Sequence, residues 1–239
     1  MDGTRRFVHD PPLLVPLSEL LSEGELEGME KQLRAFLRGY RASISASQRV
    51  LLDRFSFTDM AHKVVGVGSV GTRAWVVLML GRDESDPLVL QIKEAQRSVL
   101  EPHLGPSPYR QHGRRVVEGQ RLMQAASDVF LGWLSGDGRD GVRRDFYVRQ
   151  LWDGKGSVDL ERIPADRFTT YGELCGAALA RAHARSGDPV AIAAYLGRGD
   201  SFERAMHAFA VRYADQNDED FTALEAAADA GRITVAEVR

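Results

Sequence analysis

Gly66-Val67-Gly68-Ser69-Val70-Gly71 is the run whose residue types and spacing point most directly to chemistry. In a G-x-G-x-x-G run the backbone N–H groups can approach a phosphate because no bulky side chain stands between them. Three architectures use such a run. A dinucleotide-binding turn needs a helix directly after it, so that the pyrophosphate meets the helix N-terminus. Here Ala74 to Leu80 follows, an apolar run rich in β-formers that reads as a strand. A P-loop places Lys and then Ser or Thr after its last glycine, where this chain has Thr72 and Arg73. The third use is a glycine-rich hairpin, strand to glycine turn to strand, which closes over nucleotide phosphates in kinase-like proteins. The flanking pattern matches only this one. A tight glycine hairpin with no ligand would carry the same signature, so the glycines alone leave both readings open.

The next apolar run sharpens the choice. Leu88-Val89-Leu90-Gln91-Ile92-Lys93 ends in a lysine, as does the kinase-like strand whose lysine acts as a point charge on the nucleotide phosphates. Such a lysine is held by a helix glutamate. Glu118, within a helical pattern over 115–126, is the best-placed partner, with Gln120, Gln124 and Glu101 as alternatives. A surface lysine at a strand end and a solvated glutamate on a helix are the plain alternatives for these two residues. The candidate nucleotide-binding set is therefore Gly66, Gly68, Ser69, Gly71, Lys93 and Glu118.

Phosphoryl transfer needs more than this set. It takes a catalytic Asp, an Asn a few residues on, and a metal-binding Asp. Asn217 is the only asparagine in the chain, and Asp-Phe-Gly does not occur. His183 to Asp188 has a faint likeness to a catalytic loop, but Asp188 before Pro189 reads more simply as a helix cap. Asp137-Gly138, Asp140-Gly141 and Asp153-Gly154 read as turns. No residue is assigned a catalytic or metal-ligating role. ATP is the expected ligand, and whether Mg²⁺ accompanies it is left open.

Other chemistries find less support. Ser69 has no glycine two residues before it, so there is no nucleophile elbow. The six histidines show no ligand spacing. The single cysteine, Cys175, excludes an internal disulfide, and its place on an apolar helix stripe leads us to expect a buried, inert thiol. Arg110, Arg114, Arg115 and Arg121 form a local basic set that reads as a solvated helix face or an anion-facing groove.

The elements that must position these residues fall into three zones. Residues 1–60 begin with an extended Pro-containing piece and turn helical, with a capping-box pattern at Ser22-Glu23-Gly24-Glu25. Leu26, Met29, Leu33, Phe36, Leu37 and Tyr40 follow at helical spacing. Residues 61–154 form a β-rich lobe holding the glycine run. Ala74–Leu80 and Leu88–Lys93 read there as a hairpin about Gly81 to Pro87, and Asp145–Leu151 as a later strand. Residues 155–239 are helical. Phe168, Tyr171, Leu174, Cys175, Ala178, Leu179 and Ala182 make one stripe, a short helix restarts at Asp188-Pro189, and further helices fit 201–214 and 219–230. A β-rich lobe followed by a helical one is an α+β layout.

Composition sets the outer bounds. The 239 residues are 44% hydrophobic and 27% charged, an ordinary globular balance. A net charge of −3 argues against general nucleic-acid binding, which needs a basic excess to displace phosphate counterions. The longest apolar run, Ala74 to Leu80, falls far short of the roughly 20 residues that span a bilayer. No secretory pattern opens the sequence. We expect a cytoplasmic protein with no membrane partner.

With these residues in view, the chain resembles the C-terminal part of an uncharacterised bacterial family, domain of unknown function 2252. The resemblance runs through Lys63 to Arg73, Leu90 to Ala95, Gly119 to Gln124, Phe146 to Leu151, Ala178 to Asp188 and Tyr213 to Gln216. It implies an aminoglycoside-phosphotransferase-like, kinase-like relative with permuted order, in which a Gly-Asp-x-His-x-x-Asn segment lies upstream of the glycine loop. The implied fold is an antiparallel β-rich kinase-like N-lobe with a flanking helical lobe, incomplete relative to the full-length family. On that expectation the chain is a truncated product or has a partner chain that supplies the missing catalytic half. The rival expectation is a non-catalytic protein-interaction module.

Overall fold

A computed structural model describes residues 5–22, 35–64, 66, 71–138, 140–151 and 158–235. The chain divides into two compact units, Met1–Ala182 and His183–Arg239.

The first unit is built on a six-stranded antiparallel sheet in the order β1-β2-β3-β4-β6-β5. Its strands are β1 (Leu14–Pro16), β2 (Ser56–Lys63), β3 (Ala74–Leu80), β4 (Pro87–Ala95), β5 (Gly132–Asp137) and β6 (Arg143–Gln150). The expected β3–β4 hairpin is present. Gly81 donates its N–H to the Asp86 carbonyl at 2.9 Å, and Leu80 pairs with Pro87 across the turn. Asp137-Gly138 and Asp140-Gly141 belong to the β5–β6 turn, where Gly138 donates to the Val142 carbonyl at 2.9 Å. Asp153-Gly154, like 23–25 of the capping-box pattern, Leu26, Met29 and Leu33, lies outside the described residues.

Strand alternation gives the sheet two unlike faces. One face carries Trp75, Val77, Leu90, Ile92, Leu134, Phe146 and Val148, which join the core with α1 (Leu17–Leu20), α2 (described over 35–43) and α3 (Ala46–Leu52). Ser45 opens α3 through a capping box with Gln48. The other face carries Lys93 and Tyr147, and α5 (His112–Met123) packs against it after the short α4 (Glu101–Leu104). Gly113 permits the close approach, because a Cβ there would run into the Phe146 carbonyl. Asp145 holds the start of α5, accepting from the His112 N–H at 2.8 Å.

Toward the C-terminus, α6 (Ala165–Ser186) forms as the apolar spacing predicts, but none of its residues is buried. Cys175 is exposed, so the expected buried thiol is corrected: helical period locates a stripe without supplying the surface that would cover it. In the second unit, Asp188 caps α7 (Pro189–Leu196) by accepting from the N–H groups of Val190 and Ala191 at 2.9 and 3.1 Å. The two helices expected at 201–214 and 219–230 are one continuous helix, α8 (Ser201–Asp229). Neither Gly nor Pro interrupts the intervening residues, and Gln216 donates to Asp220 one turn on at 3.0 Å. Gly231 follows the end of this helix with φ +67°, the left-handed conformation common just past a helix C-terminus.

Tyr40 ties the helical layer to the chain before β5. Its side chain is 1% exposed, and its hydroxyl donates to the Phe130 carbonyl at 2.6 Å. Burial, with Asp128 adding to it, pushes the phenol well above its ordinary pKa, so it remains a donor. Tyr40→Phe keeps the ring and leaves that carbonyl unsatisfied. We expect it to lower unfolding stability by about 1–2 kcal/mol, measured by urea denaturation.

Candidate functional site

The glycine run joins two paired strands. β2 and β3 run antiparallel on either side of it, with His62 opposite Trp75, so strand, glycine turn and strand occur in the expected order. Gly66 and Gly71 are described; Gly68 and Ser69 lie outside the described residues. Gly71 has φ +82°, a conformation that L side chains rarely adopt, which gives this glycine a backbone reason.

Lys93 sits near the end of β4, opposite Ala74 of β3 and Tyr147 of β6, and Tyr147 in turn faces Trp133 of β5. Directly opposed residues share a face, so these four side chains form one row across the sheet. Helix α5 lies over the same face, since Arg114 and Arg121 stack over the Trp133 ring at 5.4 and 5.7 Å. Glu118, carried by α5, therefore shares the sheet face to which Lys93 belongs. Its carboxylate has arginine neighbours on its own helix, Arg121 at 3.5 Å and Arg114 at 3.9 Å.

The basic set expected near this helix has largely structural work. Arg115 donates to the Gln96 carbonyl and Arg121 to the Leu131 carbonyl, both at 2.8 Å. Arg114 is shared between the Tyr109 and Trp133 rings. A solvated face is thus replaced by arginines that pin α5 to its surroundings.

A second constellation was missed at the level of sequence. Glu94, the residue after Lys93, projects from the opposite face, and its side chain is 7% exposed. It accepts from the Arg73 backbone N–H at 3.2 Å and the Arg73 guanidinium at 3.1 Å, while its own N–H donates to the Arg73 carbonyl at 2.9 Å. Arg144 approaches the same carboxylate at 3.8 Å and holds Asp140 at 2.5 Å. Arg73 stands two residues after Gly71, so Glu94 anchors the outgoing end of the glycine turn to the strand bearing Lys93. The sole clue in the sequence was a charge directly after an apolar strand run.

Desolvation works to raise the Glu94 pKa, but hydrogen bonds from Arg73 and Gln96, with the Arg73 charge, outweigh it and hold the carboxyl below its ordinary value. Hydrogen bonds from Arg144 and the Val142 N–H push Asp140 strongly in the same direction. Among the described residues no group of three or more His, Cys, Asp or Glu is placed to hold a metal ion, and no helix is long and apolar enough to cross a membrane.

Fold and site together define a mixed α+β protein in which a glycine run joins two antiparallel strands and Lys93 lies on the sheet face covered by the helix that bears Glu118. The chain belongs to the family described as an uncharacterized protein conserved in bacteria, domain of unknown function 2252, whose model matches residues 1–227. No curated protein and no solved structure matches it.

A carboxylate whose pKa is lowered by folding contributes stability above its unfolded pKa, and that contribution is lost as pH falls through the folded value. Thermal unfolding followed from pH 7 downward should therefore show stability falling below the ordinary carboxylate range, near pH ~4. Glu94→Gln should cost on the order of 2–3 kcal/mol at pH 7 and flatten this acid dependence.

Proposed function

We propose that the sheet-bearing unit is a kinase-like nucleotide-binding platform. The backbone from Gly66 to Gly71 covers the phosphates of ATP, Lys93 pairs with them, and Glu118 orients Lys93 from α5. The observation that carries this reading is the order of elements about one sheet face. A glycine run connects an antiparallel pair, the next strand bears Lys93 near its end, and the helix that follows brings Glu118 over the same face. That is the arrangement in which a glycine-rich loop, a strand lysine and a helix glutamate act together on phosphates. Glu118 has to divide its carboxylate between Lys93 and the arginines beside it. Nucleotide charge on Lys93 is what this reading adds to that balance.

The sequence holds one asparagine, Asn217, and no Asp-Phe-Gly, so the catalytic base and metal carboxylates of a kinase-like centre are not met by motif. On this reading the unit binds nucleotide and transfers little phosphate unless another polypeptide segment supplies those groups. A non-catalytic interaction module is the second reading. It draws on Phe168, Leu174 and Leu179, large apolar side chains of α6 that are each more than half exposed.

Titration with a fluorescent ATP analogue, with and without Mg²⁺, separates the two. We expect saturable binding, weakened about tenfold, or ~1.4 kcal/mol, by Lys93→Ala and less by Glu118→Gln. A folded wild-type chain that gives no saturable signal overturns the nucleotide reading. Lys93-dependent phosphotransfer by the chain alone overturns its catalytic silence.

A further inference from the structure

The sheet face opposite Lys93 contains a cavity of about 400 Å³. We propose that this cavity is a second ligand site, separate from the nucleotide platform, and that it takes an uncharged aromatic small molecule. Its size lies within the roughly 300–1,000 Å³ typical of small-molecule pockets, which are apolar with a few placed polar groups. Ile92 and Leu134, both buried sheet residues, line it together with the rings of Phe36, Trp75 and Phe146. Three rings present flat surfaces against which an aromatic ligand can lie offset or edge-on. Gly136 helps shape this wall, because a Cβ there would collide with the Phe36 ring.

Charge decides what kind of molecule fits. Arg73, Arg144, Asp137 and Asp140 also line the cavity, and each already has an ionic partner. Arg73 meets Glu94 at 3.1 Å and Asp140 at 3.6 Å, Arg144 meets Asp140 at 2.5 Å, and Asp137 meets Arg143 at 3.9 Å. Three guanidinium groups thus stand against three carboxylates, Glu94, Asp137 and Asp140. An anionic ligand would have to compete with the carboxylates already on these arginines, and a cationic ligand with the arginines already on these carboxylates. Neither exchange adds an ion pair, whereas burying an uncharged ring system against the apolar wall requires no exchange. Opposite strand faces also keep this ligand away from Lys93.

N-phenyl-1-naphthylamine, an uncharged fluorescent two-ring amine, is the direct probe, with 8-anilinonaphthalene-1-sulfonate as its anionic counterpart. The full chain should bind the neutral dye saturably at one site and the sulfonate at least about tenfold more weakly. Leu20 lines the cavity while remaining 45% exposed, so Leu20→Trp can occlude it without burdening the core. That variant should weaken neutral-dye binding at least about tenfold. Phe209→Ser on the exposed surface of α8 should leave binding unchanged, as should saturating ATP. Equal or tighter sulfonate binding, indifference to Leu20→Trp, loss of signal in Phe209→Ser, or displacement by ATP would each overturn the proposal. Absence of saturable binding by the folded chain would do so too.

Discussion

Successive side chains of an extended strand leave on opposite sides, and β4 applies that constraint to Lys93 and Glu94. β4 lies between β3 and β6, with four strands of the sheet in register about this point. Lys93 joins a row with Ala74, Tyr147 and Trp133, beneath α5. Glu94 leaves into the opposite layer, where Arg73 and Arg144 reach it. One peptide unit therefore separates the candidate phosphate face from the ion network that holds the glycine turn. A register slip of one residue would exchange the two and put a lysine into the core layer.

The Glu94 network explains how a turn rich in glycine stays attached to the sheet. Glycines allow the backbone to bend and lose more freedom on folding than any other residue, so the ends of such a turn need fixing. Arg73 is held at both its backbone N–H and its guanidinium by a single carboxylate. Arg144, from β6, joins the same carboxylate to Asp140 in the β5–β6 turn. Two turns far apart in sequence thus converge on one buried anion. Glu94 and Arg144 are its poorly solvated members, so losing either leaves the other charged with a weakened partner set, while Arg73 and Asp140 keep access to water.

On the other face, α5 is fixed chiefly by polar contacts. Asp145 holds its first turn, Gln111 donates to the Leu134 carbonyl at 2.8 Å, and Arg114 and Arg121 lie over Trp133. Val117 supplies its one fully buried apolar side chain. Such a helix is positioned by a few directional contacts, and the arginines on either side of Glu118 belong to them. The carboxylate proposed to orient Lys93 is thereby part of the apparatus that seats the helix.

Features that rest on neighbouring residues were legible in the sequence. The β3–β4 hairpin, the Asp188 cap and the α6 helix all follow from local period and turn chemistry. Membership in the bacterial family was legible in the same way, through short segments spread over the chain. Tertiary structure alone decided what those elements meet. The Tyr40 hydroxyl finds a carbonyl 90 residues away, and Glu94 finds arginines on β6 and beside the glycine turn. Cys175 lies exposed although its stripe has the period of a core-facing helix. Period specifies which side chains share a surface, but burial and charge pairing depend on a second surface arriving from elsewhere. That arrival is a matter of register and packing between distant segments, and no local pattern encodes it.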